Sequence, residues 1–514
     1  MRLLKSADYK NTIYNRVFIT TVIAVLQIIL FLILFVQFLE ISVFVSVALY
    51  FLSLGFIIYL VGNSEPGAYK LTWIVIIHLL PLLGIIIYLL WGEKAPAKKL
   101  KDKVNRSIAK IEKCLTEDQE TNQHFYADNT RAYSTAKYLK KATHYPAFEG
   151  TNVKYFPLGE EYFHDMLNHL SLARNFIFME YFIISEGHMW GEILEKLVER
   201  AEAGVKIYIM YDDMGCLTTL PWKYRQELEY AHPNIKCTVF NRIKPIAGIV
   251  ANHRDHRKIL VIDGKIGFTG GINLADEYIN EIVRFGHWKD TGIMLDGPAV
   301  WGLTCLFIEM WNVASDIALN PMDYKVEQEY HENAGYVQPF GDNPLDDVTV
   351  GQNVYIDIIN QAQESIYIMT PYLVLDDMTK NSLMLAARRG VDIHILTPGI
   401  PDKKSVFRIT RMNYIPLLKA GVNIYEYIDG FLHAKSIVAD SKIGMIGTIN
   451  LDYRSLYLNF ECGVYMYNNP AILDLEKDKK DTIDQCQKIE LEDMQLSVMD
   501  KAINGILMVF APLM

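Results

Sequence analysis

The chain has 514 residues, which is enough for two or three domains with cores of their own. Apolar residues make up 51%, and the mean hydropathy of +0.10 is high for a wholly soluble protein. The formal net charge of -10 argues against a nucleic-acid enzyme, because such enzymes usually carry a basic surface. The cysteines are scattered and form no CxxC pair, so we expect reduced packing residues rather than disulfides or a metal site.

Long apolar runs stand near the N-terminus, at residues 17–39, 41–61 and 71–91. A helix needs about 20 apolar residues to cross a bilayer, so each run is long enough. We therefore predict a membrane anchor over residues 1–94 with three transmembrane helices. Glu40 alone separates the first two runs, so the alternative is that one of them is a partly inserted hairpin and that two spans remain.

A basic segment follows the third run. Residues 94–113 carry eight lysines and arginines, whereas residues 1–16 carry four. Basic residues beside a span favour the cytoplasmic side, so we predict that the part of the chain after the anchor is cytoplasmic. Residues 95–145 are charged, favour helix and lack a catalytic pattern. We interpret them as a charged linker, which could also rest on anionic lipid headgroups.

Two later parts of the chain repeat the order strand, helix, strand. Each apolar strand is short, and each helix has an apolar stripe. The predicted strands are 175–182, 205–211, 365–369 and 391–396, and the predicted helices are 191–203 and 378–389. This repeat predicts two similar α/β domains, at 146–325 and 326–480.

A C-terminal tail at 481–514 follows the second domain. Its last part mixes apolar and polar residues. We predict either an amphipathic helix on a membrane face or a helix packed on the protein.

The most informative pattern of the sequence occurs twice. Each copy has a histidine, a lysine two positions later, an aspartate five after that, a glycine seven later and an asparagine three later. Five matched positions at the same offsets do not recur in one chain by chance. The copies are His256, Lys258, Asp263, Gly270 and Asn273, and His433, Lys435, Asp440, Gly447 and Asn450.

Each copy is predicted to form a β-hairpin. The run between the lysine and the aspartate is apolar and β-branched, and Asp263-Gly264 is a two-residue turn signal. Such a turn would set Gly271 opposite His256, and its counterpart would set Thr448 opposite His433. Side chains alternate along a strand, so each histidine shares a face with its lysine, beside a small residue that leaves room for a phosphate.

Two facing sets of this kind can carry out phosphodiester chemistry without a metal or a cofactor. One imidazole can attack phosphorus while the other donates a proton, and lysine is a compact charge for phosphate oxygens. The aspartates have the opposite strand parity, so we expect them to hold the hairpins through hydrogen bonds or a salt bridge. The alternative is two structural hairpins with incidental histidines. The predicted catalytic set is His256, Lys258, Asp263, His433, Lys435 and Asp440, and the predicted phosphate-binding set is Gly271, Asn273, Thr448 and Asn450.

These residues resemble the HKD motif of the phospholipase D superfamily, whose active site combines two copies. The neighbouring sequence is similar to bacterial cardiolipin synthases at 254–258, 270–278, 288–291, 297–300 and 370–372. The resemblance extends from about residue 70 to the C-terminus. It implies two phospholipase D-like α/β domains in one chain, with a pseudo-twofold active site between them.

The resemblance also implies a reaction, in which two phosphatidylglycerols give cardiolipin and glycerol. His256, in the N-terminal copy, would attack phosphorus and form a phosphatidyl-histidine, and His433 would protonate the departing glycerol. The implied partners are phospholipids and not nucleic acid, and the implied location is a bacterial cell membrane that the chain crosses several times. The open alternatives are a hydrolase that releases phosphatidic acid, a nuclease, and an inactive membrane scaffold.

Several acids outside the two motifs are also candidates for the active site. The resemblance implies that Asp290 and Glu461, which lie beyond the two hairpins, hold the histidines in one tautomer; surface acids are the alternative. Glu180 ends a buried strand and is a candidate for the pocket wall, although the edge of the core suits it equally well. Asp212 and Asp213 end the next strand, but two-histidine chemistry needs no metal, so we predict none.

Overall fold

The computed structural model of the chain describes residues 43–63, 66–92, 98–242 and 252–513, with a few positions between 21 and 29. The first predicted span, at 17–39, lies largely outside these residues. Helix α1, Val43–Gly62, covers the second apolar run. Within the described part of the chain, no helix combines the length and the apolar character needed to span a membrane.

The third apolar run forms two helices instead of the single predicted span. Helix α2 is Gly67–Leu79 and helix α3 is Pro81–Trp91. Pro81 has no backbone N–H, so it begins a new helix after Leu80, whose backbone is not helical (φ -134°, ψ 72°). The two helices fold back on each other. This brings the Tyr69 hydroxyl near the start of α2 to the Gly92 carbonyl after α3, to which it donates at 2.8 Å. The prediction of one continuous helix at 71–91 is therefore wrong.

The segment predicted as a charged linker is folded onto the domains. It forms α4 (Lys98–Glu112), α5 (Gln119–Asp128) and α6 (Thr130–Thr143). Val104 and Ile111 are buried on one face of α4, because apolar residues recur at helical spacing among the lysines. The high charge of the stretch suggested a linker. Composition alone does not show that its few apolar residues share one face of a helix, so the interpretation as a linker was wrong.

The remaining elements follow in chain order. The strands are β1 Phe148–Glu149, β2 Asn152–Phe156, β3 Phe176–Tyr181, β4 Lys206–Asp212, β5 Ile235–Phe240, β6 Arg254–Asp255, β7 Lys258–Ile262, β8 Ile266–Gly270, β9 His287–Lys289, β10 Gly292–Asp296, β11 Tyr336–Asp342, β12 Ser365–Met369, β13 Asp392–Pro398, β14 Asn423–Tyr427, β15 Gly430–Leu432, β16 Ser436–Ala439, β17 Ile443–Gly447, β18 Asn459–Tyr467 and β19 Cys486–Ile489. The helices are α7 Gly159–Leu172, α8 His188–Glu202, α9 Tyr224–Ala231, α10 Val300–Ala314, α11 Val350–Gln361, α12 Asp377–Arg388, α13 Lys404–Ala420, α14 Tyr453–Tyr457, α15 Ala471–Ile483 and α16 Val498–Phe510.

Two β-sheets repeat one strand order. The first runs β2-β10-β8-β7-β3-β4-β5, and the second runs β1-β11-β18-β17-β16-β12-β13-β14-β19. The stretch β10-β8-β7-β3-β4-β5 of the first matches β18-β17-β16-β12-β13-β14 of the second. Each contains a parallel strand–helix–strand unit, β3-α8-β4 or β12-α12-β13, so the predicted repeat of two α/β domains is confirmed.

The two sheets share one continuous core. Phe178 and Ile259 of the first sheet pack in the same cluster as Val438 and Val464 of the second, and α10 is buried between the sheets along most of its length. Other helices cover the outer faces of both sheets. The hairpins of the two domains therefore meet inside a single body.

Two short strands join the second sheet although they lie outside the predicted second domain. β1 lies in the first predicted domain but pairs with β11 of the second sheet, and β19, in the predicted tail, is an edge strand beside β14. The tail continues into α16, which packs on the protein through a hydrogen bond from the Thr72 hydroxyl of α2 to the Val509 carbonyl. The other face of α16 exposes Val498 and Ile506.

Both predicted hairpins form, but their register differs from the prediction by one residue. Ile262 pairs with Ile266, and Ala439 pairs with Ile443, so each loop has three residues instead of two. Asp263 (φ 54°) and Asp440 (φ 52°) begin these loops in the left-handed region. Aspartate tolerates the left-handed conformation, which allows a three-residue loop in place of the predicted two-residue turn.

Candidate active site

Each histidine of the repeated motif is positioned by a strand of the other domain. β6 runs parallel to β18, and the backbone N–H of His256 donates to the Phe460 carbonyl at 2.9 Å. β15 runs parallel to β9, and the backbone N–H of His433 donates to the Lys289 carbonyl at 2.7 Å. The residue after Phe460 is Glu461, and the residue after Lys289, just beyond β9, is Asp290, so each acid comes beside the histidine of the opposite domain.

The carboxylates are consequently exchanged between the domains. Nδ1 of His256 lies 2.9 Å from Oε2 of Glu461, and Nδ1 of His433 lies 2.5 Å from Oδ2 of Asp290. Both acids are fully buried, with 0% exposure. A carboxylate at Nδ1 accepts a hydrogen bond from the N–H of that nitrogen, so the proton stays on Nδ1 and Nε2 of each neutral imidazole keeps its lone pair.

Burial determines the charge of this cluster. It lowers the pKa of His256 to about 4, against the opposing effect of Glu461, and it lowers the pKa of His433 to about 3, with help from the charge of Lys435. Burial also lowers the pKa of Lys258 to about 8 and that of Lys435 to about 7. Burial alone would raise the pKa of Glu461, but His256 and Lys258 hold it below its ordinary value. At neutral pH both imidazoles are therefore uncharged, and Glu461, the partner of His256, is ionised.

A cavity of about 700 Å³ lies between the domains, and both histidines line it. This volume is in the range of small-molecule sites. Asn273 and Asn450 of the two motifs also lie on its wall, as does Ala511 near the C-terminus. A second cavity of about 890 Å³ adjoins it between the start of α2 and the second domain, and Asn252 lines both. The segment that the sequence predicts to be a membrane anchor thus lies next to the site.

The two asparagines differ in their contacts. Oδ1 of Asn273 accepts from the Ile183 backbone N–H at 3.0 Å, and its Nδ2 donates to the Tyr278 hydroxyl at 2.7 Å. Oδ1 of Asn450 is buried and has no hydrogen-bond partner among the described residues. Asn273 is therefore used to hold the wall, whereas Asn450 keeps an unused acceptor.

The two lysines fold back onto the histidines that precede them. Nζ of Lys258 donates to the His256 carbonyl at 2.7 Å, and Nζ of Lys435 donates to the His433 carbonyl. Both side chains are buried, and neither is among the residues that line the cavity. They place positive charge close to the histidines without forming the wall itself.

Gly271 and Thr448 contact the exchanged acids rather than facing the histidines as predicted. A Cβ on Gly271 would stand 2.0 Å from Oδ1 of Asp290, so only glycine lets that carboxylate approach His433. Thr448, at the equivalent position, donates its hydroxyl to Oε2 of Glu461. The difference follows from the shift in register.

The aspartates of the two motifs lie at the hairpin loops and not on the cavity wall. Asp263 accepts three backbone N–H groups, from Arg174 to Phe176, at 2.7–2.9 Å. Asp440 accepts three in the same way, from Gln363 to Ser365, at 2.8–3.0 Å. Each fastens its hairpin to the start of the neighbouring strand, so neither belongs to the set that reaches the cavity.

Glu180 does not reach the cavity either. It is fully buried on β3. Burial raises its pKa well above the ordinary value, Asp255 raises it further, and Arg257 opposes both. Its placement as a pocket residue is therefore wrong, and the alternative of a core position applies.

Other acids serve the fold or lie at the surface. Asp212 accepts from the backbone N–H groups of Met214, Gly215 and Asp255. Within the described ranges, one cluster has the spacing of metal ligands, formed by Asp296, Glu329 and His331, and none of these residues lines the cavity.

Sequence reasoning missed a group of aromatic rings on the cavity wall. Tyr278, Trp288 and Phe431 surround His433, with ring centroids 5.5, 5.3 and 5.6 Å from the imidazole. Tyr278 and Trp288 lie close in the sequence to Asn273 and Asp290, which the sequence analysis singled out. Nothing in their spacing, however, predicts that they surround a histidine of the other domain.

Comparisons with known proteins come from sequence and from structure. The family model described as "Cardiolipin synthase, PLD-like domain" matches residues 166–283 and 355–481, and the model "Phospholipase_D-nuclease N-terminal" matches residues 47–93. An uncharacterized protein of Streptococcus mutans is 43% identical over 465 residues, which are 90% of this chain and 100% of that protein.

Named relatives are more distant. A cardiolipin synthase of Halalkalibacterium halodurans is 31% identical over 88% of this chain and 90% of its own length. The major cardiolipin synthase ClsA of Bacillus subtilis is 32% identical over 80% of this chain and 86% of its own length. Among solved structures, a phosphatidylserine synthase of Haemophilus influenzae matches with a TM-score of 0.55, 14% identity, and coverage of 74% of this chain and 98% of that one. That likeness shows a shared fold.

Proposed function

Since the chain belongs to the cardiolipin synthase family of the phospholipase D superfamily, we propose that it is a phosphatidyltransferase that makes cardiolipin. It transfers the phosphatidyl group of one phosphatidylglycerol to the terminal hydroxyl of another and releases glycerol. The observation that carries this proposal is the pair of histidines on one cavity, each with a carboxylate of the opposite domain at Nδ1.

In the first half-reaction, Nε2 of His256 attacks the phosphorus of the first lipid. A nitrogen–phosphorus bond forms, the bond from phosphorus to the glycerol oxygen breaks, and His433 gives its proton to that oxygen. His433 takes up this proton when substrate binds, because the negative phosphodiester beside it offsets the low pKa that burial imposes.

In the second half-reaction, His433 removes a proton from the terminal hydroxyl of the second phosphatidylglycerol. The freed oxygen attacks phosphorus, the nitrogen–phosphorus bond breaks, and His256 is neutral again. Two phosphodiesters enter and two leave, so no other reactant is needed. Lys258 and Lys435 stabilise the extra negative charge of the pentacoordinate states from within the buried cluster.

The proposal includes attachment to a bacterial cell membrane. Apolar side chains of α1, among them Phe44, Phe51 and Ile58, are exposed, as are Val498 and Ile506 of α16. We place the anchor in the bilayer as a multi-pass segment, with the catalytic domains on the cytoplasmic side because of the basic residues after Trp91. Labelling of single cysteines on intact cells should leave sites beyond residue 120 protected, and labelling from outside at several of them would contradict this topology.

The assignment of the histidines is tested with a phosphatidyl donor that carries p-nitrophenol as an acidic leaving group. His433→Ala should accumulate a phosphatidyl adduct on His256, because this leaving group departs without a proton. His256→Ala should form no adduct. Mass spectrometry of both variants after brief exposure gives the answer, and an adduct on His433 in the His256 variant would reverse the assignment.

A further inference from the structure

A group of charged side chains is buried behind His256 and outside the cavity. It consists of Glu180, Asp255 and Arg257, which are 0%, 2% and 1% exposed, and we call it the charged triad. The backbone N–H of Arg257 donates to Oδ1 of Asp255 at 3.3 Å, and its Nε donates to the Glu461 carbonyl at 3.1 Å. The triad therefore reaches across the domain boundary to the acid that orients His256.

Two members of the triad flank the first motif histidine, and their counterparts flank the second. Asp255 precedes the first histidine and Arg257 follows it. Leu432 precedes the second histidine and Ala434 follows it. Both charges of the first motif are thus replaced by apolar side chains in the second.

The counterpart of Glu180 follows from the strand pairing. Glu180 pairs with Ile259 of β7, and Met369 pairs with Ser436 of β16. Both partners are the third residue after a motif histidine, so Met369 occupies the position of Glu180. Met369 packs with the two apolar counterparts of the flanking residues in one cluster. The repeat therefore folds without charge at these three positions, and the charged triad belongs to the half that contains His256.

Glu180 and Asp255 hold one proton between them. Among the described residues, no N–H or O–H group donates to either oxygen of a Glu180 carboxylate, and its hydrogen-bonding neighbour is the Asp255 carboxyl group. Two carboxyl groups can bond each other only when one of them is protonated. Burial raises the pKa of Asp255 to about 6 and that of Glu180 well above its ordinary value, and the charge of Arg257 opposes both. At neutral pH a protonated Glu180 therefore donates to an ionised Asp255.

We propose that the charged triad positions Glu461 against His256 while that imidazole attacks phosphorus. This inference rests on the proposed function. The proton of Glu180 stabilises the charge of Asp255 without a second buried anion, and Asp255 attracts the guanidinium of Arg257. That guanidinium in turn holds the backbone of Glu461.

The chemistry of the first half-reaction explains why one half of the site needs this support. When Nε2 of His256 bonds phosphorus, the ring keeps its proton on Nδ1 and becomes positively charged. Glu461 offsets that charge only while its carboxylate stays at the 2.9 Å seen here, and it belongs to the other domain. His433 forms no bond to phosphorus and only exchanges a proton, so Ala434 suffices beside it.

The test transplants the apolar residues of the second repeat into the first, in the full-length protein. The variant carries Glu180→Met, Asp255→Leu and Arg257→Ala. It also carries Glu309→Gln, because Glu309 loses its cation at 3.5 Å but must still accept from the Tyr145 hydroxyl. Apolar replacement of a buried ionic group is often neutral or stabilising, so the Tm should not fall. The burst of p-nitrophenol from the activated donor should slow by about 10- to 100-fold, with the KM for that donor unchanged.

Single changes at Glu180 test the shared proton by itself. Glu180→Gln keeps the shape, and its amide donates to Asp255 as the protonated carboxyl does, so the burst rate should stay within a few-fold of the wild type. Glu180→Met is similar in length but cannot donate, and it should slow the burst about tenfold. Glu426→Met is the matched control, since Glu426 is a buried acid that pairs with Arg411 at 3.4 Å outside the cavity, and it should keep the wild-type rate.

The burst gives two readings that separate positioning from folding. Its amplitude counts folded sites, whereas its rate reports the attack at each site. The inference predicts a full amplitude with a reduced rate, and a purely structural triad would lower the amplitude and leave the rate unchanged.

Two outcomes would overturn the inference and leave the proposed function intact. One is a wild-type burst rate in the transplanted variant, or in Glu180→Met if the transplanted chain does not fold. The other is a Glu180→Gln enzyme as slow as Glu180→Met, because the shared proton would then have no role. A wild-type protein that shows neither a burst nor an adduct on His256 would instead contradict the proposed function itself.

Discussion

Replacing Glu461 by glutamine should stop the first half-reaction, although the residue belongs to the other domain from His256. Glu461 accepts from His256, Thr448, Ser455 and Asn459, so both carboxylate oxygens are held. A glutamine has the same shape, but its amide can donate to Nδ1 of the imidazole. That donation would move the ring proton to Nε2 and remove the lone pair that attacks phosphorus.

The magnitude follows from the loss of the required tautomer. The corresponding change of a carboxylate to an amide in the serine-protease triad lowers kcat about 10⁴-fold, and we expect a loss of roughly 10³- to 10⁴-fold here. At about 1.36 kcal/mol per factor of ten, this is about 4–5.5 kcal/mol of transition-state stabilisation. Burial of both partners at 2.9 Å favours the upper part of the range.

The assay is a rapid-quench measurement with the p-nitrophenyl donor. Glu461→Gln should slow the burst of p-nitrophenol, whereas Asp290→Asn should keep the burst and slow the turnover that follows, because Asp290 holds the proton-transferring His433. Asp342→Asn is a matched control at a buried acid that accepts the N–H groups of Val350 and Gly351 instead. A burst rate of Glu461→Gln within a few-fold of the wild type would refute the reasoning, and opposite effects of the two active-site variants would exchange the roles of the histidines.

Four further predictions concern the pH dependence of catalysis, the stability at low pH, the hairpins and the equilibrium. The value of kcat/KM, measured from pH 5 to 10, should fall above about pH 7 as Lys435 loses its proton, and it should fall further near pH 8 as Lys258 loses its own. A maximum at pH 9 would contradict this prediction. Because the pKa of His256 is about 4 in the folded protein against 6.5 ordinarily, the unfolded chain binds more protons between these values, and the Tm should fall as the pH drops from 6.5 towards 4. Asp263→Ala should lower the free energy of unfolding by about 2–4 kcal/mol through the loss of three hydrogen bonds, seen as a lower Tm in differential scanning calorimetry, while folded molecules keep their turnover. Added glycerol should convert cardiolipin back to phosphatidylglycerol, since one phosphodiester replaces another, and no conversion during continued forward turnover would argue against the shared intermediate.

The predictable part of the fold lies in local patterns. Short apolar runs, a helix with an apolar stripe and a motif repeated at fixed offsets are enough to give two α/β domains, because each signal spans only a few residues. The same local reasoning failed at the hairpin loops. Asp263 takes a left-handed conformation there, and the additional loop residue shifts the register and turns Gly271 towards Asp290.

The exchange of acids between the domains could not be predicted in this way. It depends on β6 pairing with β18 and on β15 pairing with β9, and these strands are far apart in the sequence. The group of aromatic rings around His433 has the same origin, since Trp288 and Phe431 meet only when β9 and β15 are paired. The family resemblance pointed to Asp290 and Glu461 but not to which domain serves which histidine.

The central claim is tested most directly by giving the purified protein phosphatidylglycerol alone in mixed micelles and quantifying every product. We predict cardiolipin and free glycerol in equal amounts, with little phosphatidic acid, and loss of both products in His256→Ala. Phosphatidic acid and glycerol in equal amounts, without cardiolipin, would contradict the account and show that water is the acceptor.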